Sequence, residues 1–258
     1  MRYQHPDLDE ITVFLQDFGM EVVKRTADQI WYRGAAQLPG AGEIQDLSES
    51  PGGGHLLTLS DPEGFPVNLI YGQEPREAGE YPTSIIVNTD SEKPRIRKFQ
   101  RFNPGPAAKF DELVDFYTTN FNIVPSDFLY VEKDGQKKNV ALFAHIDRGT
   151  DYVDHHSFFL STNPTSHVHH CSFEVHDIDT QHLGHQYLNG KGYESVWGVG
   201  RHILGSQIFD YWWDTTGNMV EHYADGDLIN EETPIGYGPA GDESLAVWGP
   251  EVPSWFLN

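Results

Sequence analysis

The stretch "IFDYWWDTTGNMVEHYADG", residues 208–226, places two strand-like runs on either side of the turn residues "DTTG". An aspartate that opens a short loop and a glycine that closes it are the punctuation of a hairpin. The same layout occurs earlier, in "LLTLSDPEGFPVNLIYG", residues 56–72, where Asp61 and Gly64 stand in the places of Asp214 and Gly217. Aligning the two turns puts Thr58 at the position of Tyr211 and Asn68 at that of Glu221. Upstream of each hairpin lies an amphipathic segment, "DLDEITVFLQDFGMEV" from residue 7 and "FDELVDFYTTNFNIVP" from residue 110. The chain therefore reads as a duplicated strand-rich module that packs against itself.

Outward from the hairpins, the periodicities predict further elements. Helices are expected at 7–20 and 110–123, and a weaker one at 179–189. Strands are expected within 21–33 and at 55–60, 65–71, 84–88, 127–132, 139–145, 155–161, 168–175, 194–199, 206–212 and 218–224. The tail after residue 234 is rich in glycine and proline and lacks periodicity. Residues 1–89 form a truncated N-terminal module, 90–108 a linker, and 109–258 a catalytic-type C-terminal module with the Gly/Pro-rich tail. The repeat also supplies a ruler: Asp9 to Asp61 spans 52 residues, whereas Asp111 to Asp214 spans 103. On that measure the first module is short by about half, with the gap near Gly34–Ala35.

Composition narrows the chemistry. Thirty-nine acidic residues against seventeen basic ones give a formal net charge of −22 in 258 residues. Such a surface repels phosphate backbones and anionic lipid, so no nucleic-acid or membrane partner is expected. Cys171 is the single cysteine, which excludes an intrachain disulfide framework and any CxxC metal site. The N-terminal "MRYQHPDLDE" has no apolar run of the kind a signal peptide needs, and no segment reaches the length of a membrane-spanning helix. A cytoplasmic protein is expected.

Thirteen histidines are present, concentrated between residues 155 and 185. In "HHCSFEV", 169–175, a strand period of two puts His170, Ser172 and Glu174 on one face and His169, Cys171, Phe173 and Val175 on a more apolar one. His170 is thereby the better ligand candidate; the alternative is a surface or hydrogen-bonded histidine pair. Glu221 sits in phase with Met219 and Tyr223. A carboxylate among apolar neighbours is costly to bury unless it is paired or binds a metal, and otherwise lies exposed at a sheet edge. Two imidazoles and one carboxylate make the usual non-haem Fe(II) set, with positions left open for substrate and O₂.

Taken together, "HHSFF" (155–159), "HHCSFEV", "GRH" (200–202) and "FDYWWDTTGNMVE" (209–221) resemble the extradiol ring-cleavage dioxygenases of the vicinal oxygen chelate superfamily, the group that includes glyoxalase and bleomycin-resistance proteins. The resemblance covers most of the chain and is strongest over 153–230. It implies an α+β fold of paired βαβββ modules forming open barrels, and an enzyme that uses Fe(II) and O₂ to open a catecholic ring next to its diol. His170 and Glu221 match metal ligands. His156 matches the active-site acid/base histidine, with His155 as its nearby alternative. His202 matches a histidine contacting the substrate, and Tyr211 a tyrosine bonding a substrate oxygen. Asn68 and Thr58 at the equivalent places imply that the first module binds no metal.

The family also places a histidine ligand on the strand that opens its catalytic module. The residues here, "RKFQRFNPGPAAKF" (97–110), contain no histidine, no alternation and a Pro-Gly-Pro break. They predict that this strand is absent, that the opening strand of the first module is absent too, and that the third metal ligand is missing. Either coding segments have been lost from the sequence, or the chain holds iron through two ligands beside an unpaired sheet edge. His145 and His167 are substitutes on paper only. The other readings are a catalytically impaired or non-enzymatic binding protein on the same scaffold, and another metal-dependent enzyme of the superfamily. Trp248, Trp255 and the "YWW" run are candidates for a substrate pocket or for core. The resemblance is compatible with a homo-oligomer.

Overall fold

The computed structural model describes residues 9, 12, 20–26, 30–34, 41–75, 95–104, 107–164, 166–241 and 245–256. The expected helix at 7–20, the strand at 84–88 and the opening strand of the first module lie outside the described residues, apart from helical positions at Asp9 and Thr12. The chain divides into two units, Met1–Glu77 and Ala78–Asn258.

In the first unit, β1 (Met20–Arg25) pairs antiparallel with β2 (Ile30–Gly34). A separate three-stranded sheet runs β3 (Gln45–Asp46), β4 (His55–Ser60), β5 (Pro66–Tyr71). The β4–β5 turn is the one the repeat predicts. Asp61 accepts the backbone N–H groups of Glu63 and Phe65, and Gly64 takes a φ of +84°, open to glycine and strained for other residues. Thr58 lies directly across from Asn68 and donates its hydroxyl hydrogen to the Asn68 Oδ1 at 2.8 Å.

The second unit runs β6 (Arg95–Pro104), α1 (Ala107–Asn120), β7 (Ile123–Lys133), β8 (Gln136–Ile146), β9 (Val153–Asp154), β10 (Phe158–Asn163), β11 (His167–Glu174), α2 (Ile178–Gly190), β12 (Ser195–His202), β13 (Ile208–Trp213), β14 (Met219–Ala224), β15 (Leu228–Ile229), β16 (Gly236–Pro239) and β17 (Ala246–Trp248). Ten of these strands form one sheet in the order β16-β7-β8-β10-β6-β11-β14-β13-β12-β17, and β9 pairs with β15. Two βαβββ modules are visible in that order. Each opens with a strand that lies parallel to its own last strand, β6 to β10 and β11 to β14, and the two opening strands pair antiparallel at the centre. The fold is thus α+β with paired modules in open sheets, as the resemblance implies.

The strand expected to be absent is present. β6 occupies the stretch read as a linker and as lacking strand character, and the sheet has no unpaired edge there. The physical reason is its central position. β10 and β11 satisfy its backbone on both sides, and a ladder of main-chain hydrogen bonds makes no demand for alternating polarity. The strand reaches Pro104, the first residue of the Pro-Gly-Pro break. The missing histidine, by contrast, is a matter of composition: none lies in Arg95–Pro104.

Helix α1 buries Phe110, Leu113 and Tyr117, three positions on one face, and Tyr117 tilts against Phe158 of β10 at 4.5 Å between ring centres. Burying each such side chain is worth about 2–3 kcal/mol. Helix α2 starts at Asp177, whose carboxylate accepts the Thr180 N–H at 2.7 Å. It is fastened to the sheet by buried Gln181, whose amide donates to the carbonyls of Ile208 and His222. The tail that shows no periodicity contributes β16 and β17 at the two sheet edges. It also sends Phe256 into the core formed by Val196, Trp197, Phe209, Tyr211 and Met219. Trp255 stacks on Trp213 at 5.5 Å, and Trp248 lies on the edge strand β17.

Candidate metal and substrate site

Glu221 is delivered by the second hairpin. Asp214 shapes the turn, accepting the N–H groups of Thr216 and Asn218 at 2.8 Å, and Gly217 supplies the positive φ of +86°. The Asn218 side-chain amide, which donates to Asp214 Oδ2 at 3.0 Å, together with these backbone bonds holds the Asp214 carboxyl far below the usual carboxylate range. The hairpin register sets Tyr211 directly opposite Glu221, and the β11–β14 pairing sets Ser172 beside Glu221 and His170 beside Met219. Period two then brings His170, Ser172, Tyr211 and Glu221 together across three adjacent strands. All four are buried.

At this point His170 Nε2 lies 3.5 Å from Glu221 Oε2, and the Ser172 hydroxyl donates to that same oxygen. His202, at the end of β12, places Nε2 3.7 Å from Glu221 Oε1 and 2.9 Å from the Tyr211 hydroxyl. Burial opposes ionisation of Glu221, but the His170 and His202 rings beside it outweigh burial, and the carboxyl is held well below its ordinary range. Burial and the neighbouring Glu221 push Tyr211 well above that of a free phenol, so it stays a proton donor.

Two carbonyls fix the histidine tautomers. His202 Nδ1 donates to the Leu245 carbonyl at 2.8 Å, leaving Nε2 toward Tyr211. His169 Nε2 donates to the Phe256 carbonyl at 2.6 Å. Its Nδ1 lies 2.6 Å from His170 Nδ1. Burial, reinforced by the neighbouring His170, lowers the His169 pKa to about 3, so this ring is neutral and its Nδ1 can only accept. His170 must therefore carry its proton on Nδ1, and Nε2, the nitrogen facing Glu221, is the one left for a ligand. Histidine ligands are commonly oriented in this way by the partner of their other nitrogen.

The donor chemistry fits a divalent cation, as far as it goes. Two ligand atoms about 2.1 Å from one ion and at right angles to each other stand about 3 Å apart, close to the 3.5 Å found here. Glu221 Oε1 is buried with no hydrogen-bond partner, as expected of an oxygen reserved for something else. Among the described residues no group of three His, Cys, Asp or Glu side chains is arranged to hold a metal ion. On β6 the residues in register with His170 and Ser172 are Gln100 and Lys98.

The structure thus joins four of the five sequence candidates, His170, His202, Tyr211 and Glu221. His156 belongs to a second buried set: its Nδ1 lies 3.1 Å from His155 Nδ1, and its ring meets the Phe143 ring edge-on. His145 is bonded to Ser126, and His167 lies beside His169. Sequence reasoning passed over Ser172 as a partner, although it shares the His170 face at period two. It had no means of finding the Leu245 and Phe256 carbonyls, which any residue type could provide.

Known proteins bear on this geometry. No family model matches the chain. It is 34% identical over 150 residues to metapyrocatechase 2 of Cupriavidus necator, an alignment covering 56% of this chain and 42% of that protein. It superposes on homoprotocatechuate 2,3-dioxygenase of Arthrobacter globiformis with a TM-score of 0.63 and 19% identity, covering 97% of this chain and 69% of the other. This chain shares the fold of that dioxygenase. A similar fold is found in the Mn(II)-bound glyoxalase of Novosphingobium aromaticivorans, with a TM-score of 0.65 and 17% identity over 95% of this chain and 70% of that one. The chain spans less than half the length of the curated relative it matches.

Proposed function

We propose that this chain is an extradiol dioxygenase that uses Fe(II) and O₂ to open a catecholic ring. The observation that carries the proposal is the buried His170–Glu221 pair with the His202–Tyr211 pair against it. Likeness to metapyrocatechase 2 and to homoprotocatechuate 2,3-dioxygenase supports it.

His170 and Glu221 would hold the metal. Fe(II), when bound, supplies a Lewis acid that gathers the vicinal diol and O₂ and passes electron density between them. The remaining work falls to the protein. Tyr211 donates a hydrogen bond to a substrate oxygen, and His202, backed by the Leu245 carbonyl, accepts or returns a proton at Nε2. Trp197, Phe209 and Phe256 pack around Tyr211 and keep water from that side. His156 is the acid/base assigned by the resemblance. In the first unit the Thr58–Asn68 hydrogen bond stands where Tyr211 and Glu221 stand in the second, so that unit is structural.

Anaerobic reconstitution with Fe(II), followed by a panel of catechols and oxygen, tests the proposal. A yellow ring-fission product that disappears in Glu221→Ala supports it. Unchanged turnover in that variant refutes the ligand role, and less than about a tenth of an equivalent of tightly bound iron with no product refutes the enzyme for this chain. The absence of histidine from β6 favours a second reading, a binding protein on a decayed dioxygenase scaffold; metal content separates the two.

A further inference from the structure

The sequence holds two His-His doublets, and both are built alike. In 169–170 the first ring bridges an oxygen acceptor, the Phe256 carbonyl, to the Nδ1 of the second ring. In 155–156 the first ring does the same. His155 Nε2 lies 2.6 Å from Asp127 Oδ2, and its Nδ1 lies 3.1 Å from His156 Nδ1. Only the acceptor differs, a carboxylate in place of a carbonyl. Both histidines of this doublet are buried.

The surroundings are shaped for that carboxylate. Asp127 projects from β7 toward Gly236 of β16, paired alongside it. A Cβ at Gly236 would fall 1.8 Å from Asp127 Oδ1, so no other residue leaves the carboxylate its place. Gly205 leaves room for the His155 ring, which a Cβ there would meet more tightly than an ordinary contact, at 3.0 Å. The Ser126 hydroxyl hydrogen goes to the His155 carbonyl, and His145 Nδ1 donates to the same hydroxyl oxygen at 2.8 Å.

The geometry points to Asp127 and His155 as a positioning pair behind His156. A carboxylate accepts, so His155 Nε2 carries the proton between them. His155 Nδ1 then accepts, which places the His156 proton on Nδ1 and leaves its Nε2 as the basic nitrogen. As that proton is held, a carboxylate two hydrogen bonds away stabilises positive charge on the imidazole in a way a carbonyl does not. The two doublets thus diverge: the carbonyl-backed one makes His170 a neutral ligand, and the carboxylate-backed one makes His156 a proton acceptor. This assignment rests on the dioxygenase reading for its catalytic meaning, but not for its tautomer.

The test is ¹⁵N NMR of histidine-labelled protein without metal, with the His156 signals assigned by their loss in His156→Gln. The expected result is a dominant Nδ1–H form for His156. In His155→Phe, which fills the same space without a nitrogen, the ring should revert to the Nε2–H form preferred in water. His155→Gln, able to donate to Asp127 and accept from His156, should restore the Nδ1–H form, and Asp127→Ala should weaken it. A dominant Nε2–H form in the wild-type protein overturns the assignment, as does an unchanged tautomer in folded His155→Phe. Should that variant not fold, the wild-type tautomer and Asp127→Ala decide. On iron-loaded protein, kcat should fall by about 10²-fold in His155→Phe with KM little changed. The predicted tautomers with no ring cleavage of any catechol would sink the dioxygenase reading and leave the positioning pair standing.

Discussion

Acid should destabilise this protein through His169, and the size of the effect follows from its surroundings. Burial, reinforced by His170, takes its pKa from 6.5 to about 3. A histidine whose folded pKa is lowered binds fewer protons folded than unfolded between those values. Its contribution is complete above the unfolded pKa of 6.5, begins to be lost as pH falls through it, and is fully lost near the folded value. Between pH 7.5 and 5.5 the loss amounts to about 1.4 kcal/mol, or roughly 3–5 °C in Tm for a chain of this size. The measurement is differential scanning calorimetry of metal-stripped protein across that range, set against His169→Gln, which cannot titrate. Other groups titrate in both proteins, so the difference between the two curves isolates His169. Parallel curves, within about 0.3 kcal/mol, would refute the reasoning.

Further outcomes follow from single contacts. Ser172→Ala removes the hydroxyl that donates to Glu221 Oε2; bound iron should weaken by roughly 10-fold or more by equilibrium dialysis while the fold survives. Leu160, fully buried in β10, should cost about 2–5 kcal/mol in urea unfolding when replaced by alanine. Gln181→Ala should cost about 2–3 kcal/mol, because two strand carbonyls lose their donor when α2 loses its fastening. Gly217→Ala, forced into a φ of +86°, should destabilise by about 1–2 kcal/mol and lower activity through the displaced Glu221 hairpin; an unchanged Tm would remove the turn from the argument.

Much of the candidate site was legible because strands translate sequence spacing into position. One turn motif, seen twice, fixed the hairpin register, and period two then set Tyr211 across from Glu221 and His170 on the face of Ser172. Local rules sufficed, since each of these relations spans a single strand or hairpin. β6, the strand that opens the second unit, is illegible in the sequence for the opposite reason. β6 owes its existence to β10 and β11, elements more than fifty positions downstream, and nothing in "RIRKFQRFNP" records that pairing.

The sequence by itself determined the two hairpin turns, the α+β class, the absence of a histidine from β6 and the choice of His170, His202, Tyr211 and Glu221 as candidates. Only the tertiary structure decided which nitrogen of each histidine faces the site. Those protons are set by Asp127, Leu245 and Phe256, which lie 28, 43 and 87 residues from the rings they touch. A carbonyl is common to every residue type, so its place in a hydrogen-bond chain exists only once the chain has folded.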